Sequence, residues 1–116
     1  MLANVNDIAI LQPLSPQAEL KTLYRPEGGA FVGDVDLHFD AGKMLFSMPS
    51  KTGKGPWQIF EIMADGSGLR QVSQTTEAHI NNYDACYLPD GRVLFTSTAP
   101  CVAVPCVRGS SPVATL

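Results

Sequence analysis

Two stretches of this chain share one pattern: Asp-Leu-His-Phe-Asp-Ala-Gly-Lys-Met-Leu-Phe-Ser-Met from Asp36, and Asp-Ala-Cys-Tyr-Leu-Pro-Asp-Gly-Arg-Val-Leu-Phe-Thr-Ser from Asp84. Each reads as a short alternating strand, a tight glycine turn and a second strand closing on Leu-Phe-Ser or Leu-Phe-Thr. A lone hairpin cannot bury its own apolar faces, so a repeated one implies stacked β units that shield one another. Placing Asp36 on Asp84, His38 on Cys86 and Phe39 on Tyr87 spaces the repeats 48 residues apart. Gly42, Leu45 and Phe46 then fall on Gly91, Leu94 and Phe95 at a spacing of 49, with the extra residue assigned to the Leu-Pro-Asp-Gly turn.

That period lies near the roughly 40–50 residues of a four-stranded propeller blade. The expected fold is therefore all-β: a partial β-propeller of about two four-stranded antiparallel blades, the second incomplete, within a larger ring. Residues 1–32 read as an N-terminal segment in which Glu19–Tyr24 is the outer strand of a preceding blade, and Ile8, Ile10 and Leu11 form a brief strand. Residues 33–82 read as the first complete blade. Within it Val35, Leu37 and Phe39 alternate with Asp34, Asp36, His38 and Asp40, which predicts a strand with its apolar side buried. Lys43–Met48, Trp57–Met63 and Leu69–Ser73 follow as strands two to four, separated by Asp-Ala-Gly, a polar loop and Ala-Asp-Gly-Ser-Gly. Residues 83–116 start a second blade and run into a loop containing Pro and Cys.

A ring needs about 4–8 blades, so 116 residues read as a segment of a longer polypeptide. Composition agrees with many short strands and defined turns: 45% apolar, with 10 Gly and 9 Pro. A net charge of −3 with 8 Lys and Arg leaves no basic surface to track phosphates, which argues against nucleic acid as a partner. No run approaches the roughly 18 apolar residues of a membrane span, and the first residues lack a signal-peptide pattern, so the leader of an exported parent would precede Met1. Of three cysteines, Cys101 and Cys106 bracket four residues; a small-loop disulfide and two free thiols are both open to them. Neither Cys-x-x-Cys-His nor Gly-x-Ser-x-Gly occurs.

Trp57 to Ser73, Trp-Gln-Ile-Phe-Glu-Ile-Met-Ala-Asp-Gly-Ser-Gly-Leu-Arg-Gln-Val-Ser, resembles the third and fourth strands of TolB-like, WD-type propeller repeats. Tyr87-Leu-Pro-Asp-Gly-Arg-Val-Leu-Phe95 is similar to that family's Ser-Pro-Asp-Gly signature, with Leu88 in place of Ser. A narrower likeness rests on Leu-Tyr-Arg-Pro-Glu-Gly-Gly, Gly-Asp-Val-Asp-Leu-His-Phe-Asp, Asn-Tyr-Asp-Ala-Cys-Tyr-Leu-Pro-Asp-Gly-Arg and Val-Pro-Cys-Val. These resemble the propeller part of bacterial proteins related to the hydrazine synthase alpha subunit. The resemblance implies an exported, periplasmic parent, with haem in the cytochrome-like domain of some members. It brings no cofactor to this segment, whose haem motifs are missing, and a Cys-x-x-Cys-His in the longer polypeptide would point to a redox enzyme instead of a scaffold.

The alignment gives adjacent blades a carboxylate, Asp36 or Asp84, and a softer group, His38 or Cys86, at matching positions facing a central channel. Such a set suits ligand binding. Against it, a strand-start Asp commonly bonds to backbone amides and a lone Cys packs as a small apolar residue. His79, beside Asn81, Asn82 and Asp84, marks a connection between blades that a partner protein or neighbouring domain could contact. Asp65 with Ser67 lacks the further oxygen ligands of a calcium loop and reads as a turn. The expected function is a non-catalytic scaffold and binding module with no metal of its own.

Overall fold

Apolar residues at successive positions of Lys43–Pro49 and Trp57–Met63 demand cover on two faces, and the fold supplies it from both sides. A computed structural model of the protein describes residues 6–50, 54–100 and 114–116. The chain is all-β and its sheets are antiparallel. The strands are β1 (Ile8–Gln12), β2 (Glu19–Tyr24), β3 (Gly33–Leu37), β4 (Lys43–Pro49), β5 (Trp57–Met63), β6 (Arg70–Gln71), β7 (Asn82–Tyr87) and β8 (Val93–Ser97). They form a hairpin β1-β2, a four-stranded sheet β3-β4-β5-β6 and a hairpin β7-β8. No helix among the described residues is long and apolar enough to cross a membrane.

These pieces stack as three layers with the four-stranded sheet in the middle. On one face Met44, Phe46, Met48, Phe60 and Ile62 pack with Ile8 of the first hairpin, joined by Leu23, Tyr24 and Val32. On the other, Leu45 and Ile59 pack with Ala85 and Tyr87 of the last hairpin, joined by Val72, Val93 and Phe95. Side chains alternate along β4, so Phe46 and Leu45 are both fully buried against opposite layers. Each such side chain contributes about 1.5–3 kcal/mol, the value for burying a large aliphatic or aromatic group.

The middle sheet departs from expectation at its edge. Val35, Leu37 and Phe39 are exposed, at 54%, 55% and 71%, whereas Asp36 and His38 are half-buried. The polar side of β3 faces the last hairpin, because β7 packs across β3 and supplies partners for Asp36 and His38. The fourth strand is also shorter than the expected Leu69–Ser73, spanning only Arg70–Gln71. Ser73 instead donates its hydroxyl to Gln58.

Register revises the alignment of the repeats. Asp36 pairs with Leu45 and Leu37 with Met44 in the first hairpin of the repeat; Cys86 pairs with Leu94 and Tyr87 with Val93 in the second. Asp36 is thus equivalent to Cys86, and Asp34 to Asp84. Both β3 and β7 bulge just before these pairs, at Asp34 (φ 54°) and Asp84 (φ 53°). A short polar side chain tolerates that left-handed backbone better than most. The extra residue lies in the first turn: His38 N–H bonds to Lys43 O, whereas Leu88 N–H bonds to Arg92 O.

The left-handed turn position is Ala41 in one hairpin (φ 58°) and Gly91 in the other (φ 87°). A left-handed alanine costs about 1–2 kcal/mol, while glycine forfeits about 0.5–1 kcal/mol of chain entropy. Ala41→Gly is expected to raise stability by about 0.5–1 kcal/mol in a urea titration, and Gly91→Ala to lower it by a similar amount. Loss of stability in Ala41→Gly would refute the strain assigned to this turn.

Candidate functional site

Charge is rare inside a two-faced strand, which makes Glu61, between Phe60 and Ile62 on β5, the most unusual residue of the interior. Its side chain is 8% exposed. Lys43 Nζ lies 3.1 Å from Oε2, Arg70 Nη2 lies 2.7 Å from Oε1, and Tyr87 donates its hydroxyl to Oε2 at 2.9 Å. Lys43 also sits over the Tyr87 ring, 5.2 Å from its centre. Burial works to raise the Glu61 pKa, but hydrogen bonds from Arg70, Lys43 and Tyr87 outweigh it and hold the carboxyl below its ordinary 4.5. Burial first, then the bond to Glu61, pushes the Tyr87 phenol well above its ordinary 10.

Tyr87 joins this cluster to two of the residues singled out in the sequence. Its backbone N–H donates to Asp36 Oδ2 at 3.0 Å, across the layer boundary. The His38 ring meets the Tyr87 ring edge-on, with centres 4.7 Å apart. His38 Nδ1 lies 2.7 Å from Asp40 Oδ1, which in turn accepts the Gly42 N–H at 2.8 Å. The Gly42 backbone bond, followed by the bond to His38, holds the Asp40 carboxyl below its ordinary value.

The remaining residues do not join them. Cys86 is a half-buried free thiol. It neighbours Tyr87 on β7 and, by strand alternation, points to the opposite face, away from Asp36. Asp84 sits in the β7 bulge, where its backbone N–H donates to Ser47 Oγ at 3.3 Å. His79 is exposed on the connection from β6 to β7 and has no hydrogen-bond partner among the described residues. No three His, Cys, Asp or Glu side chains gather into a metal-sized group among the described residues. Cys101 and Cys106 lie outside the described residues. Asp65 makes a tight turn, accepting both the backbone N–H and the hydroxyl of Ser67.

A second polar cluster secures the opposite end of the sheet. Gln58 Oε1 accepts from Ser73 Oγ at 2.8 Å and from Asn82 Nδ2 at 2.9 Å, while its Nε2 donates to Ile80 O. Asn81 Oδ1 accepts the Trp57 N–H at 2.9 Å. Trp57 itself packs between Phe31 and Tyr83, bridging layers. Above this floor a recess of about 340 Å³ opens between Ser50 and Pro56 and the connection after β6, rimmed also by Gln71, Thr76, Glu77 and Ala78. A cavity of about 380 Å³ lies on the other side of the sheet, among Tyr24, Arg25, Glu27, Met48, Phe60 and Leu69.

Glu61, Gln58 and Tyr87 were not singled out from sequence. The signal was present for Glu61, a carboxylate inside Ile-Phe-Glu-Ile-Met with Arg70 in the next strand. No protein family, no curated protein and no solved structure matches this chain.

The Glu61 cluster sets a pH profile. Its depressed pKa means the stabilisation is present above 4.5 and is lost as pH falls through the folded-state value; the raised Tyr87 pKa means stabilisation present below 10 and lost as pH rises. Chemical denaturation across pH should give a plateau with two falling flanks. Glu61→Gln is expected to flatten the acid flank and Tyr87→Phe the alkaline one. At neutral pH Tyr87→Phe should cost about 2 kcal/mol, the scale of a hydrogen bond to a charged group. Unchanged flanks in both variants would rule the assignment out.

Proposed function

We propose that this chain is a segment of a TolB-like β-propeller, about two blades, acting as a non-catalytic scaffold and binding module of a larger exported protein. Loops at one end of its strands are presented to a protein partner or to an adjoining domain. The reading draws on the face-to-face stacking of antiparallel units, each of which covers its neighbour. The observation that carries the binding role is the recess of about 340 Å³ between Ser50 and Pro56 and the connection after β6. Its rim is exposed at Thr76, Glu77 and Ala78 and polar at the first two, while its floor is held by the buried bonds of Gln58. A mobile rim would forfeit binding energy to ordering; one anchored on a satisfied buried amide does not.

The two strand ends are chemically unequal. At the other end, turns close tightly on themselves through Asp40, Asp65 and Asp90, each accepting a backbone N–H two residues on. Their side chains are thereby engaged within the turn, whereas Thr76 and Glu77 face outward.

Site-specific photo-crosslinking in the full polypeptide tests this. A photoreactive residue at Thr76 is expected to capture a partner protein or another domain of the same chain, and one at Ser67, at the other strand end, is not. Equal capture from both positions, or none from Thr76, would overturn the proposal.

A further inference from the structure

The layer boundary on the side of the first hairpin holds a cavity whose chemistry the stacking of sheets does not use. Its walls come from the connection after β2, the end of β4, Phe60, Leu69 and Gln71. At about 380 Å³ it falls within the roughly 300–1,000 Å³ of small-molecule sites. It shares only Gln71 with the recess beside Thr76.

The two connections between layers are equivalent in backbone and unlike in lining. Register equates Asp34 with Asp84, and the same spacing places Glu27 on Glu77 and Ala30 on Ile80. Both close alike: Ala30 N–H bonds to Glu27 O at 3.4 Å and Ile80 N–H to Glu77 O at 3.2 Å. The second connection, however, faces Ser50 and the amide of Gln58, whereas the first faces buried Met48 and Phe60 and carries Tyr24 at its start. The Tyr24 hydroxyl donates to Met48 Sδ at 3.6 Å, which ties the ring to the inner wall.

Charge around this apolar lining is uneven. Arg25 directs Nε and Nη2 at Asp7, at 3.0 and 2.6 Å, so its charge is already matched. Glu27, exposed in the short turn after Pro26, has no hydrogen-bond or ion-pair partner for its side chain among the described residues. Burial, and then the charge of Glu27, raises the Tyr24 phenol above its ordinary 10, so this carboxylate acts on the cavity wall. Aromatic rings attract cations, and a thioether adapts to alkyl groups. An anion would instead meet Glu27 and find Arg25 engaged.

We propose that this cavity binds a small organic cation, an ammonium group on an aromatic or branched alkyl body, with the body against Met48 and Phe60 and the charge between Tyr24 and Glu27. The site depends on the first layer boundary and not on what the loops at the Thr76 end bind.

Titration of the 116-residue chain with 2-phenylethylammonium at neutral pH, followed by NMR of isotope-labelled methionine methyls, reads this out. The Met48 methyl is expected to shift saturably, and that of Met44, in the same core but outside the lining, to move much less. 2-Phenylethanol has a similar shape without the charge and should bind about tenfold more weakly, with phenylacetate weaker still. Glu27→Gln should weaken the ammonium about threefold at low ionic strength and leave the alcohol unchanged. Glu19→Gln removes the same charge from the far end of β2 and should alter neither. Absence of saturable binding, an alcohol or carboxylate that binds as well as the ammonium, or equal loss from Glu19→Gln would each overturn the proposal. A shift of Met63 in place of Met48 would put the cation elsewhere and count against it.

Discussion

Tyr87 is the residue on which the relation between the middle sheet and the last hairpin depends. Its ring lies in the second core, its hydroxyl reaches Glu61, its backbone N–H reaches Asp36, and its edge is met by His38. Apolar burial by itself is non-directional and would let two flat sheets slide over each other. Hydrogen bonds to a buried carboxylate do not, because a shift of one residue would leave Glu61 and Tyr87 unpaired at a cost of about 1–3 kcal/mol each. Among the described residues no buried side-chain nitrogen or oxygen lacks a partner. Specific stacking therefore comes from polar ties laid across an apolar boundary.

The two layer boundaries differ in kind. Between the first hairpin and the middle sheet the contact is mainly aliphatic and aromatic, with Ile8 in the core of Met44, Phe46 and Phe60 and Tyr24 against Phe46, its hydroxyl 3.6 Å from Met48 Sδ. The ion pair nearest to it, Asp7 with Arg25, lies in the first layer with Arg25 65% exposed, where such a pair contributes little. Between the middle sheet and the last hairpin with the connection that leads into it, side chains that cross the boundary with hydrogen bonds among the described residues include Asp36, Ser47, Gln58, Glu61, Asn81, Asn82 and Tyr87. β7 takes the largest part in these ties. It also carries the bulge at Asp84, whose freed backbone N–H finds Ser47 in the neighbouring sheet.

Bonds of this sort also account for where Asp36 and His38 lie. Asp36 is a candidate ligand through its place in the repeat, against the reading that such an Asp bonds to backbone amides; the structure shows the second of these, a bond to the Tyr87 N–H that β7 would otherwise bury unpaired. His38 contributes its ring to packing and its Nδ1 to Asp40. Cys86 and Asp36 occupy equivalent positions in successive layers, so one strand separates them and they do not converge.

Much of the local structure was legible before any coordinates. The run Trp-Gln-Ile-Phe-Glu-Ile-Met has a strand's period and Asp-Gly-Ser-Gly has a turn's chemistry, and Trp57–Met63 and Glu19–Tyr24 are strands over the bounds expected. Local sequence determines these because alternation and left-handed turn positions act over a few residues. Which side of β3 is buried was not legible, since Val35, Leu37 and Phe39 read as an inward face and are outward. Only the tertiary structure decides that, because burial belongs to whichever layer arrives, and the layer that arrives at β3 presents a phenol and a peptide N–H to its carboxylate and imidazole. The two-residue correction between the repeats has a related origin: the extra residue lies in the first turn, closed from His38 to Lys43, and not in the second, closed from Leu88 to Arg92, and turn length is read from strand pairing and not from a string of letters.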